Sequence, residues 1–111
     1  MSNSHIAVAL THSPYSGERE GLFRLLVLWA DQSADLRIYL MGNGVLAAKE
    51  GSQLEDVISE LTQKGVVFLA DKKELNARGL RNTIRNLRVT DNLVSEFVDD
   101  LMKEDWKALV I

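Results

Sequence analysis

Three short clusters hold most of the loop side chains able to do chemistry: Thr11-His12-Ser13, Gly42-Asn43-Gly44 and Asp71-Lys72-Lys73. Asp71 beside His12 would supply a general acid or base, and Lys72 or Arg78 would hold an anionic substrate. Asp71 and His12 are therefore the catalytic candidates, and Asn43, Gly44, Asp71, Lys72 and Arg78 the ligand-binding ones. The 111 residues contain no cysteine, which excludes disulfides, thiolate metal sites and thiol catalysis within this chain.

Other patterns are weaker than they look. Gly42-Asn43-Gly44-Val45-Leu46-Ala47 fits the dinucleotide fingerprint G-x-G-x-x-A. That fingerprint belongs after a first strand, ahead of a long helix, whereas here Gly51 would cut the helix short. A tight strand-to-helix turn is the better reading. His5 and His12 bracket one extended run and stand roughly 23 Å apart, too far to share a metal within one chain. His5 reads as a solvent-facing strand start. Ser13 and Ser16 lack a G-x-S-x-G elbow. Arg78, Arg81, Arg85 and Arg88 recur at helical spacing, so a helix would stack them as one basic stripe. Such a stripe suits anions or a neighbour's acidic helix; no aromatic residue interleaves it for base stacking, so nucleic acid is disfavoured.

These clusters need a scaffold, and the apolar runs supply one. Ile6–Leu10, Val66–Ala70 and Ala108–Ile111 are apolar without alternation, as in strands buried on both faces of a parallel sheet. Leu36–Met41 is interrupted by Arg37 and suits a place nearer an edge, and Leu87-Arg88-Val89 is a weak fourth strand of five. Gly21–Ala30 is apolar almost all round, which suits a deeply packed helix or a subunit interface. Ser52-Gln53-Leu54-Glu55 is a capping box for a helix that Lys64-Gly65 ends. A last helix, about Asn92 to Lys103, points Leu93, Val94, Phe97, Val98, Leu101 and Met102 inward, with Glu96, Asp99, Asp100 and Glu104 on a solvated face. Strands alternating with helices predict a single α/β domain over residues 1–111, a five-stranded, mostly parallel sheet with helices on both faces and right-handed crossovers. Ligands in such sheets bind beyond the strands' carboxyl ends, which is where the three clusters fall.

Composition narrows the classes further. A net charge of −3 gives no support to bulk binding of nucleic acid or acidic membranes. No apolar run reaches membrane-spanning length and no secretory signal is visible, so a cytoplasmic location is expected by default. Nothing in the chain calls for a metal or a cofactor.

The G-x-G-V turn at Gly42–Val45, the helix over Leu54–Gly65, the segment Leu75-Asn76-Ala77-Arg78-Gly79-Leu80, and the acidic last helix before a strand carrying Trp106 together carry a resemblance. The chain resembles the DsrE/DsrF-like family, small α/β proteins that include the sulfur-relay subunits of tRNA thiolation and dissimilatory sulfur oxidation. Members that carry sulfur place a cysteine eight residues before the glycine that is Gly79 here, and that position is Asp71. A second cysteine of some members would fall at Glu74. A carboxylate cannot accept or pass on sulfane sulfur. The resemblance thus implies the fold, and assembly into trimers or hexamers of like or homologous subunits, without the transfer chemistry. The expected protein is a non-catalytic binding or structural subunit, accessory to sulfur relay. The alternatives are a small-ligand receptor or enzyme using Asp71 and His12, and an anion or nucleic-acid binder using the arginine stripe.

Overall fold

Unbroken apolar runs lose most water contact in the middle of a parallel sheet, and Ile6–Leu10 and Val66–Ala70 do so here. The computed structural model describes residues 5–11, 19–32, 35–48, 55–80 and 87–111. Five strands, β1 (His5–Leu10), β2 (Asp35–Leu40), β3 (Val67–Asp71), β4 (Arg88–Thr90) and β5 (Trp106–Val110), form one sheet in the order β4-β3-β2-β1-β5. Every pairing is parallel, as expected. The helices are α1 (Arg19–Gln32), α2 (Glu55–Gln63), α3 (Lys72–Ala77) and α4 (Leu93–Leu101), with a 3-10 segment over Gly42–Ala48.

Alternate strand residues feed two cores. On one face Val8, Leu10, Ile38, Leu40, Phe68 and Ala70 meet Leu26 of α1, Val45 and Ala47 of the 3-10 segment, Ile58 and Leu61 of α2, and Leu75 of α3. On the other, among the described residues, Ala7, Ala9, Tyr39 and Leu69 meet Leu93 and Phe97 of α4, with Met41, Val67 and Trp106 packed at the margin. Each fully buried large side chain contributes about 1.5–3 kcal/mol. Tyr39 and Phe97 add an edge-to-face ring contact at 5.1 Å.

Helix ends follow local chemistry. Gly65, at φ 92°, donates to Thr62 O while Val66 donates to Leu61 O, the paired Schellman bonds that Lys64-Gly65 predicted. Gly79, at φ 66°, does the same for α3: its amide reaches Asn76 O and that of Leu80 reaches Leu75 O. The Arg78-Gly79-Leu80 sequence is therefore a helix stop, with Leu80 packed back on the core. Residues Ser52 to Leu54 of the expected capping box lie outside the described residues.

Four expectations are corrected. First, β2 is the central strand, where Arg37 is accommodated by an ion pair with Asp100 of α4. Second, β5 is an edge strand with Lys107 to Val110 exposed, so its unbroken apolarity does not mark burial on two faces. Third, α4 buries Leu93, Phe97 and Asp100, while Val94, Val98, Leu101 and Met102 are exposed. Fourth, Arg78 and Arg88 do not share a helix: α3 stops at Ala77 and Arg88 lies on β4. Arg81 and Arg85 lie outside the described residues. On α1, Leu26 is buried and Leu25 and Leu28 are exposed, so that helix is neither wholly core nor wholly open.

Candidate functional site

The carboxyl ends of the strands form one pole. Leu10, Leu40, Ala70 and Val89 stand in register across four strands, and Asp71 and Thr90 are paired one step further on. β3 leads into α3 on one face and β4 into α4 on the other, so Asp71 and Thr90 flank a topological switch point. Asn43, Asp71, Lys72 and Lys73 all belong to this pole, and α3 packs beside the 3-10 segment.

Their side chains have other duties. Asp71 is the N-cap of α3, and its carboxylate accepts from the Lys73 amide at 2.8 Å. Gly44 is buried, and a Cβ on it would lie 1.9 Å from the Leu10 carbonyl oxygen; the glycine lets the 3-10 segment close over the end of β1. Its amide donates to Met41 O at 2.8 Å. Arg78 ends α3, where its Nε donates to Glu74 at 3.3 Å. Asn43 and Lys72 are exposed. Among the described residues no hydrogen bond or ion pair joins Asn43, Asp71, Lys72 and Arg78 to one another. His12, with Ser13 and Ser16, lies outside the described residues. An open groove of about 490 Å³ lies elsewhere, between α1 and α2, lined by Arg24, Val27, Leu28, Val57 and Glu60.

The most organised polar cluster is one that the sequence reading missed. Asp100 of α4 is 1% exposed. One carboxylate oxygen accepts from Arg37 Nη1 at 2.9 Å and Lys103 Nζ at 3.0 Å; the other accepts from the Tyr39 hydroxyl at 2.5 Å. Burial pushes the Asp100 carboxyl up, but the Tyr39 and Lys103 hydrogen bonds and the two positive charges together hold it below the ordinary carboxylate range. The same burial, with the Asp100 bond and charge, pushes the Tyr39 hydroxyl far above its usual value, so it stays a donor. Arg37 and Lys103 also stand over the Trp106 ring, at 4.6 and 5.1 Å from its centre. His5 packs on the same indole at 5.2 Å and bonds Asp35 through Nδ1 at 2.7 Å, so it is held in place, not the solvent-facing strand start expected.

A sequence signal for this cluster existed. Asp100 is seven residues from Leu93 and three from Phe97, on the apolar stripe of α4, and Arg37 and Tyr39 share one face of β2. Chemically the cluster is saturated. Among the described residues no buried side-chain nitrogen or oxygen lacks a partner, so Asp100 clamps α4 to the sheet and has no free oxygen for a ligand.

The sequence model of the DsrH-like protein family matches residues 12–106. Three solved structures share the fold over nearly the whole chain. The ychN protein from E. coli has a TM-score of 0.81 and 21% identity, covering 97% of this chain and 99% of its own. The MTH1491 protein of unknown function from Methanobacterium thermoautotrophicum has a TM-score of 0.78 and 20% identity, covering 97% of this chain and all (100%) of its own. The BT1422 protein of unknown function from Bacteroides thetaiotaomicron has a TM-score of 0.68 and 20% identity, covering 96% and 94%. No curated protein matches the sequence.

Proposed function

The chain belongs to the DsrH-like family, whose members are related to sulfur-relay proteins, and we propose that it acts as a thiol-free, non-catalytic subunit of an assembly of like or homologous chains. The carrying observation is the use already made of Asp71. Where the resemblance puts a sulfur carrier, this chain has a carboxylate bound to the first turn of its own helix. That oxygen cannot take up sulfane sulfur, and its capping bond ties it to structure. The chain supplies surface and scaffold, and a thiol-bearing partner subunit supplies the chemistry. Exposed large apolar residues on α1, α4 and β5 offer surface that contacts between subunits would cover.

Native mass spectrometry of the protein purified gently from its own host tests this reading. The expected spectrum shows complexes above the 12.4 kDa chain mass, containing copies of this chain or homologous cysteine-bearing chains. When a complex that contains cysteine-bearing chains is fed a labelled persulfide donor, the label should appear on those chains alone. Label bound covalently to this chain, or a chain that stays monomeric at micromolar concentration, overturns the proposal.

A further inference from the structure

The sheet stops at β5, and the outer edge of that strand has a definite hydrogen-bonding pattern. Ile111 donates to Ala9 O at 2.9 Å and accepts from the Thr11 amide at 2.8 Å, so its backbone groups face β1. Alternation along an extended chain turns Leu109 and Lys107 the same way, and Ala108 and Val110 outward. The Trp106 amide is already committed to Lys103 O at 3.3 Å. Among the described residues the free edge therefore consists of the amides and carbonyls of Ala108 and Val110, with the Trp106 carbonyl below them. β5 has no proline or bulge to blunt this edge, and its one lysine, Lys107, is an outlying charge.

Beside this edge runs an apolar strip. Arg88 of β4 reaches Glu96 at 3.5 Å, so the Glu96 flank of α4 faces the β4 side of the sheet. Val94 and Val98 each lie two residues from Glu96, which turns them about 200° around the helix, toward the β5 side. Leu101 continues the strip one turn on. Val94 is 63% exposed, Val98 44%, Leu101 44%, Met102 80% and Val110 65%. Together these side chains leave roughly 500 Å² of apolar surface open, at the upper end of what a monomer shows and most of one half of a standard interface.

We propose that β5 and the exposed strip of α4 form a two-fold interface with a second copy of this chain. The two β5 strands would pair antiparallel about Leu109, extending the sheet across both copies. Ala108 of each copy exchanges both backbone hydrogen bonds with Val110 of the other, and the two Leu109 side chains face each other between them. This register uses both backbone groups of Ala108 and of Val110 and leaves the committed Trp106 amide alone, whereas a shift that centres on Ala108 would need that amide. A two-fold axis perpendicular to the sheet keeps both α4 helices on one side, strip against strip. The edge is complementary to itself, which favours a second copy over an unrelated partner. The inference rests on the subunit reading above and names one of its surfaces.

Because the chain has no cysteine, a single introduced one reports contacts without ambiguity. Facing residues in a non-hydrogen-bonded antiparallel pair have Cα atoms about 4.5 Å apart, within disulfide reach. Leu109→Cys treated with diamide should give a covalent dimer, and Gln63→Cys, exposed on α2, should not. Val98→Glu, at an exposed position, should abolish the Leu109→Cys cross-link and halve or further reduce the mass seen by light scattering, with an unchanged circular dichroism spectrum. An oligomer in which Leu109→Cys fails to cross-link overturns this interface and leaves the subunit reading standing. A complex in which β5 contacts only a homologous chain likewise overturns the second copy as occupant. A monomer overturns both.

Discussion

Asp100 occupies a position where an apolar residue would be the simple choice, and its three donors decide whether the carboxylate is tolerated there. Removing one partner of a buried, hydrogen-bonded charge pair costs more than the pair contributes, because the remaining charge loses its compensation. Arg37 and Lys103 keep some access to water, which moves the cost to the low end of that range. Asp100→Ala should therefore lower stability by about 3 kcal/mol in urea denaturation. The pH dependence follows from the lowered carboxyl pKa. Its stabilising share is complete above the unfolded carboxylate value, about 3.9, and is lost as pH falls through the lower folded value. Asp100→Asn should flatten the stability curve in that acid window and leave its slope above pH 6 unchanged; an identical acid slope in variant and parent would contradict the clamp. Asp71 invites the opposite comparison. As an N-cap it should cost about 1 kcal/mol on replacement by Ala and almost nothing on replacement by Asn or Ser. A thermal melt in which Asn and Ala behave alike would show that capping is not its role.

At the scale of elements, segments with a strong local signal were readable and those placed by tertiary contacts were not. Gly65 announced a helix end through its neighbours, and the structure supplies the Schellman bonds. The Ala77-Arg78-Gly79-Leu80 run contained the same signal, but the spacing of the arginines concealed it. Strand order is a different matter. Apolarity reports how much water a strand meets, so β5, whose sides are open, read like a doubly buried strand, and β2, whose Arg37 meets Asp100, read like an edge. The candidate site suffered the same confusion of roles. Gly44 was chosen for its place in a loop after a strand, yet its lack of a Cβ is needed for packing. Gly44→Ala puts a methyl group 1.9 Å from a backbone oxygen that no rotamer change can move. The expected loss is about 2–3 kcal/mol, the scale of severe overpacking, measurable as a drop in denaturation midpoint with unchanged slope. A neutral Gly44→Ala would mean that the 3-10 segment can lift off β1.

For the whole molecule, the sheet order predicts an uneven distribution of stability. β1, β2 and β3 each have a strand on both sides and a helix layer over both faces, so their amides can exchange with solvent only when both cores open. β4 has three residues and one neighbour, and two of its three residues are exposed. Among the described residues α4 is held to its face of the sheet by Leu93, Phe97, the Asp100 clamp and the contacts of Glu96 with Arg88 and Tyr39. That is a smaller core than the opposite face has, so α4 should open as a unit before the central strands do. Hydrogen exchange followed by mass spectrometry should rank the segments accordingly: β1 to β3 slowest, α4 intermediate and β4 fastest. Asp100→Asn should accelerate α4 selectively, because the central strands keep their apolar packing on the opposite face through Ile38, Leu40 and Phe68. If the variant instead speeds all segments equally, the clamp belongs to the global cooperative unit and the two faces of the sheet are not separable. The Ala108 and Val110 amides discriminate further. They point away from β1, so in an isolated chain they exchange quickly although β5 is fully formed, and any protection they acquire with rising protein concentration comes from another molecule's backbone.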